Sequence, residues 1–221
     1  MTLIDYTKIE IRENGEPVVD LATLGFLLKP TYFEQGLAPD SKIFLREATA
    51  AKLLAAQASL PSGLRFKIWD AYRSRDVQNS VYQRYWKELK KEHPDWDEEQ
   101  LKTAIAKFVT PPYESDRIPP HATGGTVDLT IVDSAGVELD MGTEYDFFGA
   151  EAAPFFYEIY KTKPEATANR RMLRAAMEAQ GFTLEQDEWW HFDYGNQVWA
   201  LKSGKPFAFY GEVLPDFFPV A

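Results

Sequence analysis

Cysteine is absent from the 221-residue chain. That excludes disulfides and every thiolate metal site, so a metal centre has to be built from His, Asp and Glu. Histidine is scarce as well, limited to His93, His121 and His191. No stretch reaches the roughly 18 consecutive apolar residues of a membrane-spanning helix, so membrane insertion is not expected. The start, MTLIDYTKIEIREN, lacks a basic segment followed by an apolar run. No signal peptide is therefore expected, and the expected location is cytoplasmic, or periplasmic if the chain is a trimmed mature form. Basic residues are outnumbered, 24 Lys and Arg against 34 Asp and Glu, for a formal charge of −10. Such a surface repels phosphate backbones and anionic bilayers, which argues against nucleic acid or a membrane surface as partner. Composition leaves the oligomeric state open.

What is present suits a packed globule. Hydrophobic residues make up 45% and aromatics 14%, enough for a sizeable core. The length fits one domain spanning residues 1–221. Lys8–Arg12 alternates like a short strand, and residues 29–40 read as a loop. Phe44, Ala48, Ala51, Ala55 and Ala58 fall at helical spacing, predicting a helix over Ser41–Leu60 capped by Asp40 or Ser41. Leu64–Ala71 alternates as a strand and runs into Tyr72-Arg73-Ser74, with Ser74 the N-cap of a helix to about Glu92. A further helix is expected over Asp97–Val109, a loop over Thr110–Gly125, a strand over Thr126–Val132 and a returning arm over Val137–Leu139. Pro164–Gln180 reads as a helix closed by Gly181, and Phe182–Leu184 and Trp189–Tyr194 as antiparallel strands. The tail, Pro206–Ala221, is expected to pack on the surface. Helices and strands mix without a βαβ rhythm, which favours α+β.

Two fragments carry candidate chemistry, PPHATGGTVDL at Pro119–Leu129 and EWWH at Glu188–His191. Zinc takes neutral imidazole and carboxylate ligands at about 2.0–2.2 Å, and a catalytic site keeps one position for water. His121, Asp128 and His191 would supply three ligands, leaving Glu188 as general base. Residues seven apart on a straight strand point to opposite faces, so His121 and Asp128 converge only if the chain bends at Gly124-Gly125. Taken singly, each residue has an ordinary structural alternative: a solvated His, an edge Asp, a core Trp-Trp-His-Phe run. The pairing of two of three histidines with nearby carboxylates is what raises the joint reading. His93, beside a helix end, has no such company. Arg73 sits where a strand passes into a helix. It could meet an oxyanion, with Asp70 holding it, or form an ordinary ion pair.

In this order, DAYR, PPHATGGTVDL and EWWH resemble the zinc D-alanyl-D-alanine dipeptidases of peptidase family M15. Asp140-Met141-Gly142-Thr143-Glu144-Tyr145-Asp146 resembles that family's Met-Gly-Thr/Ser segment ending in Phe-Asp. Asn169-Arg170-Arg171-Met172-Leu173 is similar too, and the likeness spans roughly residues 30–200. Pro119 and Pro120 stand where the family often has serines. The resemblance implies one zinc ion per chain on His121, Asp128 and His191, with Glu188 as base and proton donor. It implies that Arg73 stabilises the tetrahedral intermediate and that Asp146 fixes the substrate's free amino end. The implied fold is compact α+β, a central antiparallel sheet flanked by helices, as in zinc DD-carboxypeptidases and hedgehog-type domains.

The function expected is zinc-dependent hydrolysis of D-Ala-D-Ala or a related small dipeptide containing D-amino acids. A narrow cavity under residues 140–164 would restrict substrate length. The alternatives are a DD-carboxypeptidase acting on longer wall peptides, a non-enzymatic hedgehog-like zinc domain, and a metal-free wall-binding module. A purely structural zinc site needs neither Glu188 nor Arg73, which weighs against the non-enzymatic readings.

Overall fold

The computed structural model describes residues 5–106, 109–113 and 117–219. In chain order its elements are β1 (Glu10–Ile11), β2 (Val18–Asp20), β3 (Leu27–Leu28), α1 (Thr31–Glu34), β4 (Phe44–Arg46), α2 (Glu47–Ala58), β5 (Arg65–Asp70) and α3 (Arg75–Glu92). Then come α4 (Glu98–Ile105), β6 (Thr126–Val132), α5 (Phe156–Tyr160), α6 (Pro164–Glu178), β7 (Thr183–Leu184), β8 (His191–Asp193), α7 (Gln197–Lys202) and β9 (Phe207–Ala208).

The main sheet runs β3-β5-β6-β8-β7. Its pairings are antiparallel except at one edge, where β3 lies parallel to β5. The α+β expectation holds in this form. β6 is central and buried along all seven residues. Strand geometry sends alternate side chains to opposite faces. Val127, Leu129 and Ile131 accordingly join Leu53 of α2 and Leu173 and Met177 of α6 in the main core. Thr126, Asp128 and Thr130 therefore lie on the other face, and that face carries the candidate chemistry.

Several elements depart from the expected bounds for one reason, pairing between distant segments. The helix expected from Ser41 starts at Glu47. The stretch before it is β4, paired residue for residue with Val18–Asp20. Neither Asp40 nor Ser41 caps that helix. The expected loop 29–40 contains α1, and the returning arm 137–139 shrinks to one bridge, Val132 to Glu138. Of the expected Lys8–Arg12 strand, only Glu10–Ile11 pairs, parallel to Phe207–Ala208. The tail is only partly a surface layer, residues 214–216 being exposed. Ala208 and Tyr210 are wholly buried, and the Tyr210 hydroxyl bonds Glu16. Residues 107 and 108 of the expected Asp97–Val109 helix lie outside the described residues. Ser74 caps α3 as expected, accepting from the Val77 amide at 3.3 Å.

Two buried arginines fix the parts around the site. Arg170 of α6 donates to the carbonyls of Met141, Glu151 and Ala153, pinning the irregular segment between them. Arg46 pairs with Glu13 at 3.1 Å and donates to the Thr123 carbonyl at 2.9 Å, while its amide bonds the Gly124 carbonyl. An isolated buried guanidinium would be costly, so these partners are required rather than incidental.

Candidate metal centre

His121 sits on a single 3-10 turn, Pro120–Thr123. Pro120 suits the first position of that turn, where no amide donor is needed. Gly124 ends it in the left-handed conformation, φ 65°. Gly125 follows where a side chain would have no room, because a Cβ there would lie 2.2 Å from the Tyr194 carbonyl oxygen. The bend then delivers the chain into β6. Asp128 on β6 is register-paired with His191 on the antiparallel neighbour β8, so both project from the same face.

The ligand-type atoms of His121, Asp128 and His191 all lie within 4.8 Å of one another. His121 Nδ1 donates to the Ala71 carbonyl at 2.7 Å. That bond fixes the tautomer and turns Nε2 toward Asp128 Oδ2, 3.5 Å away. His191 Nε2 faces Asp193 Oδ1 at 3.3 Å, which turns Nδ1 toward Asp128 Oδ1, also 3.3 Å away. Asp193 Oδ1 accepts in addition from Thr126 at 2.8 Å and Asn196 at 2.7 Å. Each imidazole thus has one nitrogen held from behind and the other aimed at a shared point, the arrangement that orients metal ligands. Asp128 Oδ1 is buried with no hydrogen-bond partner among the described residues. A cation would satisfy it. The donor set, two nitrogens and a carboxylate without sulfur, fits zinc.

Glu188 lies in the turn before β8, its Oε2 3.4 Å from His191 Nδ1. Arg73 follows β5, its Nε 3.4 Å from Asp70 Oδ2, and that oxygen is 3.3 Å from His121 Nδ1. Asp70 reaches this face through an irregularity. Phe66 and Ile68 pair with Ile131 and Leu129, but the register then shifts so that Asp70 pairs with Asp128. A bulge of this kind sends the following residue to the opposite face. Asp146 adopts φ 58°, rare for a non-glycine residue, and stands 3.3 Å from the Tyr32 hydroxyl. The Tyr32 hydroxyl is 3.2 Å from that of Tyr145, which donates to Asp128 Oδ2 at 2.9 Å. All six residues singled out in the sequence therefore meet around one point. His93 is elsewhere, stacked on Trp96. Sequence reasoning missed Asp193, Tyr32 and Tyr145. Asp193 had a signal, since it lies two along the strand from His191 and so shares its face. Tyr145 stands beside Asp146 in the 140–146 segment, and Tyr32 had no signal.

The charges are strongly coupled. Burial pushes Glu188 up to about 8, Asp146 to about 7 and Asp70 to about 6. Burial acts the same way on Asp128, but His121 and His191 outweigh it and hold that carboxyl well below its usual range. His191 is kept above its ordinary value, burial being overcome by Asp193 and Asp128.

A cavity of about 220 Å³ opens beside Arg73, lined by Tyr32, Phe33, Phe44, Tyr72 and Phe218. It lies between the segment around α1 and the tail. No described helix is long and apolar enough to cross a membrane.

Several known proteins are similar to this chain. A D-alanyl-D-alanine dipeptidase of Synechocystis is 27% identical over 237 residues, covering 94% of this chain and 96% of the relative. One from Escherichia coli is 29% identical over 150 residues, covering 67% of this chain and 64% of that protein. Among solved structures, VanYB in complex with D-Alanine-D-Alanine is similar at a TM-score of 0.45 and 15% identity, over 74% of this chain and 80% of that one. The family model described as D-ala-D-ala dipeptidase matches residues 30–209, and the chain belongs to that family, peptidase M15.

Proposed function

We propose that this chain is a zinc dipeptidase that hydrolyses D-Ala-D-Ala or a closely related small D-amino-acid dipeptide. The observation that carries the reading is the convergence of His121 Nε2 and His191 Nδ1 on Asp128, each ring held from behind, with Glu188 at 3.4 Å from His191. Zinc on those three residues would supply a Lewis acid for the scissile carbonyl and acidify a water toward a pKa of about 7. Glu188 takes the proton of the attacking water and returns it to the leaving amine. Arg73, steadied by Asp70, meets the negative charge that grows on the carbonyl oxygen. Asp146 and the Tyr32 hydroxyl offer acceptors for the substrate's ammonium group.

The test is to incubate zinc-loaded protein with D-Ala-D-Ala, L-Ala-L-Ala and a pentapeptide ending in D-Ala-D-Ala. Cleavage confined to the first is expected. Cleavage of the pentapeptide alone would instead establish a carboxypeptidase. Glu188→Ala is expected to keep its zinc in metal analysis and to lose about 10²–10⁴ of the rate. Full activity in that variant would refute the role of Glu188.

A further inference from the structure

Tyr145 plays no part in the chemistry above, yet it touches a metal ligand directly. Its ring stacks on Trp69, 4.6 Å between centroids and 14° from parallel, and meets Trp190 edge-on at 5.5 Å. Those contacts aim the hydroxyl at Asp128 Oδ2, to which it donates at 2.9 Å. The other oxygen, Oδ1, is buried without a hydrogen-bond partner among the described residues and lies 3.3 Å from His191 Nδ1. The two oxygens of Asp128 are therefore unequal, one capped by a phenol and the other bare.

We infer that Tyr145 is a positioning residue that makes Asp128 a one-oxygen ligand and so keeps a coordination position open for water or substrate. The inference rests on the metal centre proposed above. A carboxylate binding through both oxygens would, with two imidazoles, supply four donor atoms and fill a tetrahedral zinc shell. The Tyr145 hydrogen bond takes up one lone pair of Oδ2 and draws on its charge, while Trp69 and Trp190 hold the ring in place, so the bare Oδ1 is the better donor. With Oδ2 held, three protein donors remain. The hydroxyl is separable from the stack, because phenylalanine supplies the same ring without the donor.

Cobalt(II) in place of zinc tests this, since its visible bands are strong in four-coordinate sites and weaken as the coordination number rises. Wild-type protein loaded with cobalt is expected to show strong bands. Tyr145→Phe is expected to show weaker ones, the second oxygen of Asp128 having joined the shell. Its metal-free melting temperature should stay near that of wild type, because the ring contacts are kept. Bands as strong in Tyr145→Phe as in wild type overturn the inference and leave the metal centre standing. Weak bands in wild type overturn it with no variant needed. A wild-type chain that binds neither cobalt nor zinc overturns both readings together.

Discussion

Asp193 shows how much of the centre depends on residues that would never touch the metal. Its Oδ1 gathers three contacts, from His191 Nε2, Thr126 and Asn196. Burial alone would raise its affinity for protons, but His191 outweighs burial and holds the carboxyl well below its usual range. A charged Asp193 keeps the Nε2 proton in place and leaves Nδ1 for a ligand bond. Asp193→Asn removes that charge at almost constant shape. Zinc affinity, measured by chelator competition, is expected to fall about 10–100-fold. Affinity equal to wild type would mean that His191 needs no such support. Asp70 behind His121 is the partial counterpart, shared between the imidazole and Arg73.

At the level of elements, the site depends on one bend and one register. The bend joins the turn of His121 to β6, and it is locked from three sides. Arg46 binds the Thr123 and Gly124 carbonyls, Tyr194 donates its amide to the Gly125 carbonyl at 2.7 Å, and the Tyr210 ring lies against Gly125. A methyl group at Gly125 would sit 2.2 Å from the Tyr194 carbonyl oxygen and 2.9 Å from that ring. Both neighbours are backbone or wholly buried, so the strand has to move. Gly125→Ala is expected to destabilise the fold by about 1–3 kcal/mol, the usual cost of overpacking. A thermal melt should show a drop of several degrees at this chain length. No drop would show that β6 and β8 can separate freely at this end, against the close approach seen.

For the molecule as a whole, proton and metal binding are linked to folding. Glu188, Asp146 and Asp70 bind protons more tightly folded than unfolded, their ordinary values being 4.5, 3.8 and 3.8. Their contribution to stability is complete below those ordinary values and is lost as pH rises through about 6 to 8. Asp128 and Asp193 act with the opposite sign, stabilising above the ordinary carboxylate range and losing that contribution as pH falls below about 4. Metal-stripped protein should therefore melt progressively lower from about pH 5 to about pH 8, and the rise in Tm on adding zinc should widen over the same window. A metal-free Tm that climbs across that window would contradict the clustering of these carboxyls in one buried site.

The metal motif was legible in the chain because its parts are local. His121, the glycine pair and Asp128 lie within eight residues, and Glu188 and His191 within four. So was β6, whose alternation marks its faces, and α3, whose N-cap and periodicity are contiguous. Tertiary structure alone decided the rest. The start of α2 moved because β4 found a partner 24–28 residues away, in the pairs Val18 to Arg46, Val19 to Leu45 and Asp20 to Phe44. Asp70 reached the site face through a register shift that no local pattern records. Tyr32, Tyr145 and Asp146 met through contacts across more than 110 positions, between Tyr32 and the other two. Part of the tail became core because Tyr210 fills space beside Gly125 and Gly195. Periodicity and turn chemistry are properties of neighbours in sequence, and they specify which side chains share a face. Which faces meet is set by packing and pairing between segments far apart in the chain, and only there does a pair of short motifs become a site.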